Sequence, residues 1–357
     1  MKNKQWRVKV TPDASELIDK KHFNWVEELV PELKDNQFLV KTICLAAVPA
    51  QRGYLETYKE KFMGNLDSGE VMQGRGVGQI VQSRHPDYQE GKIFVGSLGW
   101  QEYSIQEPIS TESTQEVKLN NLHKQWSAKV VQSPVKPLSL NLSLIGNTGA
   151  TAYFGITDIG QIKKGDNVLI TAAAGGTGSL AGQIAKDKGA NLVVGTVGTD
   201  KKYNWICNEL GFDAAINYKT EDIDNSLQQY FPKGIDLMFD NVGGDILNTS
   251  LAHLAIGARI VICGFIATDY AAGNHSGPIN YREIVYKRAR MEGFVVFDYW
   301  NRYAEAEQYL LDLYQSDKIK PTEDVSEGLE TMPDCLQSLF AGSNQGQKIC
   351  RVAPDPL

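Results

Sequence analysis

Short apolar runs of β type, set apart by glycines and prolines, fill the first third of the chain: Phe38 to Val48, Val77 to Gln82, Ile93 to Val95 and Gln101 to Ile105. Runs of this length bounded by turn residues predict strands, so residues 1–143 are expected to form a largely β unit. From Leu144 the pattern changes. Apolar runs at Val168 to Thr171, Leu192 to Val197, Ala214 to Ile216, Ile235 to Phe239, Arg259 to Cys263 and Phe294 to Phe297 alternate with helical segments. Strands separated by helices predict crossover units in one parallel sheet with helices on both faces, here over residues 144–297. A helix is expected from Trp300 to Tyr314, another around Cys335 to Phe340, and a strand from Lys348 to Val352. The economical path returns residues 298–357 to the first domain.

The strongest local signal is NVLITAAAGGTGSLAGQIAKDKGA, Asn167 to Ala190, where a β run enters a glycine-rich turn and leaves as a helix. Gly175 and Gly178 allow a tight turn and a close approach to a pyrophosphate, and Gly182 allows close packing of the helix. The helix N-terminus offers its free N–H groups to the anion. The spacing is A-x-x-G-x-x-G, and the alternative is a glycine turn without a ligand. In NAD-selective folds an acidic residue about 20 positions on takes the ribose hydroxyls. Here Gly198 stands near the end of the second strand, followed by Asp200, Lys201 and Lys202. A missing carboxylate with nearby ammonium groups favours a 2′-phosphate; the alternative is that Asp200 caps the next helix and both lysines are solvated.

Composition narrows the chemistry. At 357 residues the chain suits two domains. A net charge of −7 with no basic arm lacks the electrostatic footprint of a nucleic-acid binder. No apolar stretch approaches the ~20 residues of a membrane span, and MKNKQWRVKV has no apolar signal core behind it, so a cytoplasmic protein without a membrane partner is expected. Cys44, Cys207, Cys263, Cys335 and Cys350 are scattered, with no C-x-x-C spacing, and read as reduced thiols. His22, His85, His123, His253 and His275 stand apart, so no clustered zinc site can be assembled. Without zinc to polarise a carbonyl, hydride addition to an enone is favoured over carbonyl reduction, because it needs only hydrogen-bond donors facing the enolate oxygen.

The segments VGSLGWQEY (Val95 to Tyr103), TAYFGITDIG (Thr151 to Gly160), AAAGGTGSLAGQIAK (Ala172 to Lys186), FDNVGG (Phe239 to Gly244), ICGFI (Ile262 to Ile266) and RMEGFVV (Arg290 to Val296) occur in order. With them the chain resembles the prostaglandin reductase and curcumin reductase branch of the medium-chain dehydrogenase/reductase superfamily. The resemblance implies an α/β protein in which a Rossmann doubly wound parallel sheet (residues 144–297) accompanies a GroES-like, mainly β catalytic domain (residues 1–143, with a return over 298–357). It implies NADPH without a metal, a homodimer joined through the Rossmann domains, and reduction of the C=C bond of a small α,β-unsaturated ketone or aldehyde. By matching position it implies cofactor contacts at Ala174, Gly175, Gly176, Thr177 and Gly178 in the turn. Lys202 would hold the 2′-phosphate and Tyr218 would lie beside the adenosine. Further contacts would come from Asn241, from Cys263, Gly264, Phe265 and Ile266, from Phe294, Val295 and Val296 past the nicotinamide, and from Asn344. Tyr286 would face the substrate carbonyl. The aromatic residues are equally compatible with packing, and the asparagines with turns.

The chain departs from that family at two places. Where relatives carry L-D-P-Y-M-R, Ala47 to Arg52 reads AVPAQR, with Val48 and Ala50 replacing the acid and the tyrosine. Where relatives carry G-M-P-G, the chain has Gly146, Asn147, Thr148 and Gly149. A changed substrate pocket with unchanged cofactor use is expected. Two rival readings share the fold: an NADPH quinone oxidoreductase, and a non-catalytic NADPH-binding sensor in which AVPAQR marks lost chemistry.

Overall fold

Six strands pair side by side in parallel, and the inner ones are apolar because each is covered on both faces and gains most by burying a continuous apolar surface. They lie in the second of two units into which the chain divides; the computed structural model describes residues 1–13, 16–55, 66–108, 128–269 and 277–356. Along this unit the strands are β1 (Asn167–Ile170), β2 (Leu192–Val197), β3 (Ala214–Asn217), β4 (Ile235–Asp240), β5 (Leu254–Ile262) and β6 (Arg290–Gly293). Their spatial order is β3-β2-β1-β4-β5-β6, all parallel, the doubly wound order of a Rossmann sheet. Leu169, Val194, Ile216, Met238 and Ile260, one from each of the first five strands, meet in one buried cluster.

The helices of the unit are α1 (Asn147–Phe154), α2 (Gly176–Asp187), α3 (Asp200–Leu210), α4 (Ile223–Tyr230), α5 (Gly244–Leu251), α6 (Ile266–Asp269), α7 (Glu283–Lys287) and α8 (Tyr303–Gln315). Helix α2 connects β1 to β2, and α5 connects β4 to β5. A side chain at Gly182 would collide with the Phe212 ring, so α2 can lie as close as it does only because this residue is glycine.

Three expectations need correction. The sixth strand is Arg290–Gly293, and the apolar run after it leaves the sheet for a 3-10 turn, Val296–Arg302. An edge strand has a single neighbour, so β6 keeps half-solvated residues such as Arg290 and Glu292, and its polarity hid it from a search for apolar runs. The last helix of this unit begins at Tyr303 rather than Trp300. The return to the first unit begins at Asp324, not at 298, because α8 packs on α1, where Gly149 leaves room for Leu310. The second unit also takes back residues 345–347.

The first unit comprises Met1–Ser143, Asp324–Asn344 and Lys348–Leu357. Its main sheet is built around the strand Phe38–Ala46, which pairs antiparallel with Arg75–Ser83, Tyr103–Gln106 and Gln347–Arg351. Strands Lys2–Val8 and Phe23–Leu29 form a separate antiparallel pair with Trp6 opposite Trp25. The charged positions that alternate along this pair left no apolar run in the sequence. Arg52 of AVPAQR is fully buried, donating to the main-chain carbonyls of Glu16 and Asp13.

Candidate cofactor site

Beyond β1 the chain turns within five residues into α2, and the turn is fixed from inside. Thr171 N–H donates to the Phe239 carbonyl (3.0 Å) and Gly175 N–H to the Ala172 carbonyl (2.9 Å). Ala172 takes a left-handed conformation, φ +47°, one residue before the place where the better-known fingerprint has its first glycine. A side chain at Gly178 would collide with the Ala172 carbonyl, so this glycine is demanded by the turn itself. Gly175 is the N-cap of α2 and brings no side-chain oxygen to it. Ser179 N–H is satisfied by the Gly175 carbonyl and Gly176 N–H faces the Gly346 carbonyl across a parallel bridge, whereas among the described residues nothing accepts from Thr177 or Gly178. Two unpartnered N–H groups at the positive end of a helix form a cradle for an anion.

The cradle sits where the sheet changes direction. The connections from β1 and β4 leave to opposite sides, and ligands of open α/β sheets bind at such a switch point, beyond the carboxyl ends of the strands. Asp240, fully buried at the end of β4, ties the loops there together. Its carboxylate accepts from the Thr171 hydroxyl (2.7 Å) and from the Val242 and Gly243 N–H groups (3.1 and 3.0 Å). Burial pushes this carboxyl up from its ordinary value, against the pull of those three donors. The Asp240 main-chain carbonyl receives Cys263 N–H (2.8 Å) and Gly264 N–H (3.1 Å). Asn241 donates its main-chain N–H to the Thr171 hydroxyl oxygen (2.7 Å) and its side-chain amide to the Thr171 carbonyl (2.8 Å). It is therefore a turn former braced against β1, with its residue still half-exposed at the switch point.

Cys263 and Gly264 follow β5 on the same edge. Burial, and then the Asp240 carboxylate, push the Cys263 thiol up to about 12, so it offers main-chain groups rather than a thiolate. Phe265 is half-exposed and Ile266 opens the short α6, held by Ala267 N–H donating to the Val242 carbonyl (3.0 Å). Phe294 approaches Gly155 and meets Tyr299 edge-on, ring centroids 6.4 Å apart. Its ring is thus a packing element, while Val295 and Val296 stay half-buried beside it.

At the ends of β2 and β3 the construction differs. Thr199 caps α3, its hydroxyl accepting from Lys202 N–H (3.2 Å). Asp200 is not the cap; it accepts from the Asn217 side-chain amide (2.7 Å). Tyr218 N–H donates to the Val197 carbonyl (3.0 Å), which draws the tyrosine over the end of β2. A Cβ at Gly198 would stand 2.8 Å from the Tyr218 hydroxyl and 3.4 Å from Lys219 Cε. A side chain there would have to displace the exposed Tyr218 ring, and the chain carries no acid where NAD-selective folds place one; Lys219 stands beside Gly198, and Lys202 lies on the first turn of α3 with Asp200. The sequence reading missed Lys219, although it follows Tyr218 directly, and Asp240, although a lone acid closing an apolar strand before N-V-G-G is itself a signal.

Two expected residues lie outside the β1–α2 turn. Tyr286, on α7, is 65% exposed on the second unit, and no hydrogen bond joins its hydroxyl to the turn among the described residues. Asn344 belongs to the first unit, one residue before the chain re-enters the second. Among the described residues no group of three or more His, Cys, Asp or Glu could hold a metal. His22 is packed and His253 pairs with Asp224 (2.7 Å), while His123 and His275 lie outside the described residues.

Comparison with known proteins gives the family. The family described as zinc-binding dehydrogenase matches residues 176–313, and the N-terminal domain of oxidoreductase matches residues 4–114. The chain is 35% identical to the NADP(+)-dependent 2-alkenal reductase of Nicotiana tabacum, over 91% of this chain and 89% of that one. It is 33% identical to the NADPH-dependent curcumin reductase of Escherichia coli, over 99% and 98%. The crystal structure of CurA from Vibrio vulnificus in complex with NADPH superposes with a TM-score of 0.87 at 30% identity, covering 99% of this chain and 100% of that one.

Proposed function

The chain belongs to the medium-chain dehydrogenase/reductase family, in the branch of the prostaglandin and curcumin reductases, and from that premise we propose that it reduces the C=C bond of α,β-unsaturated ketones or aldehydes with NADPH. The observation that carries the reading is the cradle of free N–H groups at the switch point, joined to a β2 end that carries glycine where an acid would stand. Thr177 and Gly178 N–H groups hold the pyrophosphate, with Ala174, Gly175 and Gly176 shaping the turn. Lys202 and Lys219 face the 2′-phosphate, and Tyr218 lies along the adenosine. Asn241, the main chain of Cys263 to Ile266, Val295 and Val296 line the path of the nicotinamide, with Phe294 packed behind them and Asn344 as a further contact.

When bound, NADPH supplies hydride from C4 of its nicotinamide. The hydride forms a bond to the β-carbon of the substrate, the C=C electron pair moves into an enolate, and a proton from solvent adds at the α-carbon. The products are the saturated carbonyl and NADP+. The protein's task is to orient the two partners and to donate a hydrogen bond to the enolate oxygen, a role we assign to Tyr286. We further propose a GroES-like catalytic domain for the first unit and a cytoplasmic homodimer that uses neither metal, membrane nor nucleic acid. No helix among the described residues is long and apolar enough to cross a bilayer.

NADPH deuterated at C4, incubated with an enone, is expected to give the saturated ketone labelled at its β-carbon, while an allylic alcohol labelled at the carbinol carbon would overturn the assignment. Tyr286→Phe should lower kcat without raising the KM for NADPH. Prolonged chelation is expected to leave turnover unchanged.

A further inference from the structure

One face of α2 is polar although it is sealed from solvent. Ser179 is fully buried and Gln183 nearly so, and with Gly176 they recur at the spacing of one helical face. The groups that satisfy them come from two short stretches far along the chain. Gln183 makes a paired contact with the main chain of Lys320, accepting from its N–H (2.7 Å) and donating to its carbonyl (3.1 Å). The Ser179 and Thr322 hydroxyls share a hydrogen bond (2.7 Å). Gln347 N–H donates to the Thr322 carbonyl and Gly346 N–H to the Ala174 carbonyl, both at 2.8 Å. The side chain of Gln347 ends against the first residue of the helix: a Cβ on Gly176 would lie 2.8 Å from its Oε1. That oxygen accepts from the Thr148 hydroxyl (2.8 Å), on α1. Residues 148, 320–322 and 345–347 therefore grip α2 at the end where its unpartnered N–H groups emerge.

We propose that Thr148 and Gln347 are positioning residues for the cofactor pyrophosphate. Their hydrogen bond fixes the carboxamide against Gly176 and thereby fixes the direction in which the cradle presents its donors. The inference rests on the NADPH reading above. It differs from a 2′-phosphate contact in what it predicts for two cofactors, and from a general packing role in being rescued by a conservative hydroxyl. The pyrophosphate is common to NADPH and NADH, so loss of this pair weakens both alike, whereas loss of a 2′-phosphate contact weakens NADPH alone.

The test is equilibrium binding of NADPH and of NADH, followed by nucleotide fluorescence, for the full chain and four variants. Thr148→Val, which keeps the shape and removes the hydroxyl, should raise both dissociation constants by the same factor, about three- to tenfold for one lost hydrogen bond. Thr148→Ser should restore binding. Gln347→Glu keeps an acceptor for Thr148 and adds a carboxylate at the helix N-terminus, which favours the folded protein but opposes the pyrophosphate. It should weaken both nucleotides at least as strongly as Thr148→Val, measured at a temperature where circular dichroism shows the variant folded. Lys202→Ala serves as the reference, with an effect confined to NADPH. If Thr148→Val and Gln347→Glu fold and bind both nucleotides as the unaltered chain does, while Lys202→Ala remains selective, the positioning role is wrong and the cofactor reading stands. If the unaltered chain binds neither nucleotide, the cofactor reading falls and this inference with it.

Discussion

At the β1–α2 turn the determinants are main-chain groups and side chains closed off from solvent, such as Thr171, Ser179 and Asp240, each fully buried. At the ends of β2 and β3 they are side chains that reach outward, with Tyr218 39% exposed and Lys202 half-buried on the first turn of α3. One site is thus made in two ways. A cradle of N–H groups binds any pyrophosphate, and its geometry is inseparable from the folding of the unit. The lysines discriminate between nucleotides, and a charge near the surface can be removed at little cost to the fold. Stability and selectivity should therefore separate cleanly between the two regions.

The largest effect is expected from Gly182→Ala. Alanine in place of glycine gains about 0.5–1 kcal/mol within a helix, but the added methyl would overlap the Phe212 ring, and overpacking of a core costs about 1–3 kcal/mol or more. The clash outweighs the propensity, so thermal or urea denaturation should show a net loss near 2 kcal/mol. An unchanged midpoint would mean that Phe212 moves aside freely. Lys202→Ala comes next: the dissociation constant for NADPH should rise roughly ten- to a hundredfold, the range for a hydrogen bond to a charged group, with the NADH value and the melting temperature unaltered. Equal losses for both nucleotides would erase the contrast between the two ends. Smallest is Ala172→Gly. A left-handed φ of +47° costs alanine about 1–2 kcal/mol, and glycine returns part of that relief through its larger unfolded entropy. A gain of about 1 kcal/mol or less is expected in denaturation, with cofactor binding unchanged. A loss would show that the turn depends on the alanine methyl.

What could be read from the sequence follows the same division. The run into the glycine turn and five of the six parallel strands announced themselves because buried backbone geometry demands particular residues: aliphatic ones where both sheet faces are covered, glycine where Gly178 meets the Ala172 carbonyl. The sixth strand did not, since an edge strand tolerates Arg290 and Glu292. Lys202 was legible as a charge at the right distance, but whether Asp200 capped the helix was not, because cap and neighbour lie one residue apart and only the dihedral angles separate them; Thr199 holds that place. Thr148 was read as a change in the substrate pocket. In the structure its hydroxyl goes to Gln347, a partner roughly 200 residues away that no local pattern could indicate.

That distance has a consequence for how the protein comes into being. The glycine turn is bridged by Gly346, roughly 170 residues later, and long separations of this kind are closed late because their loop entropy must be overcome first. During synthesis the β1–α2 turn leaves the ribosome long before Thr322 and Gly346 do, and the buried hydroxyl and amide of Ser179 and Gln183 must wait for them. A chain arrested between residues 293 and 345 would carry the complete fingerprint and all six parallel strands, yet lack the clasp that orients the cradle. Competence to hold a nucleotide is in this sense the nascent protein's signal that its far end has arrived.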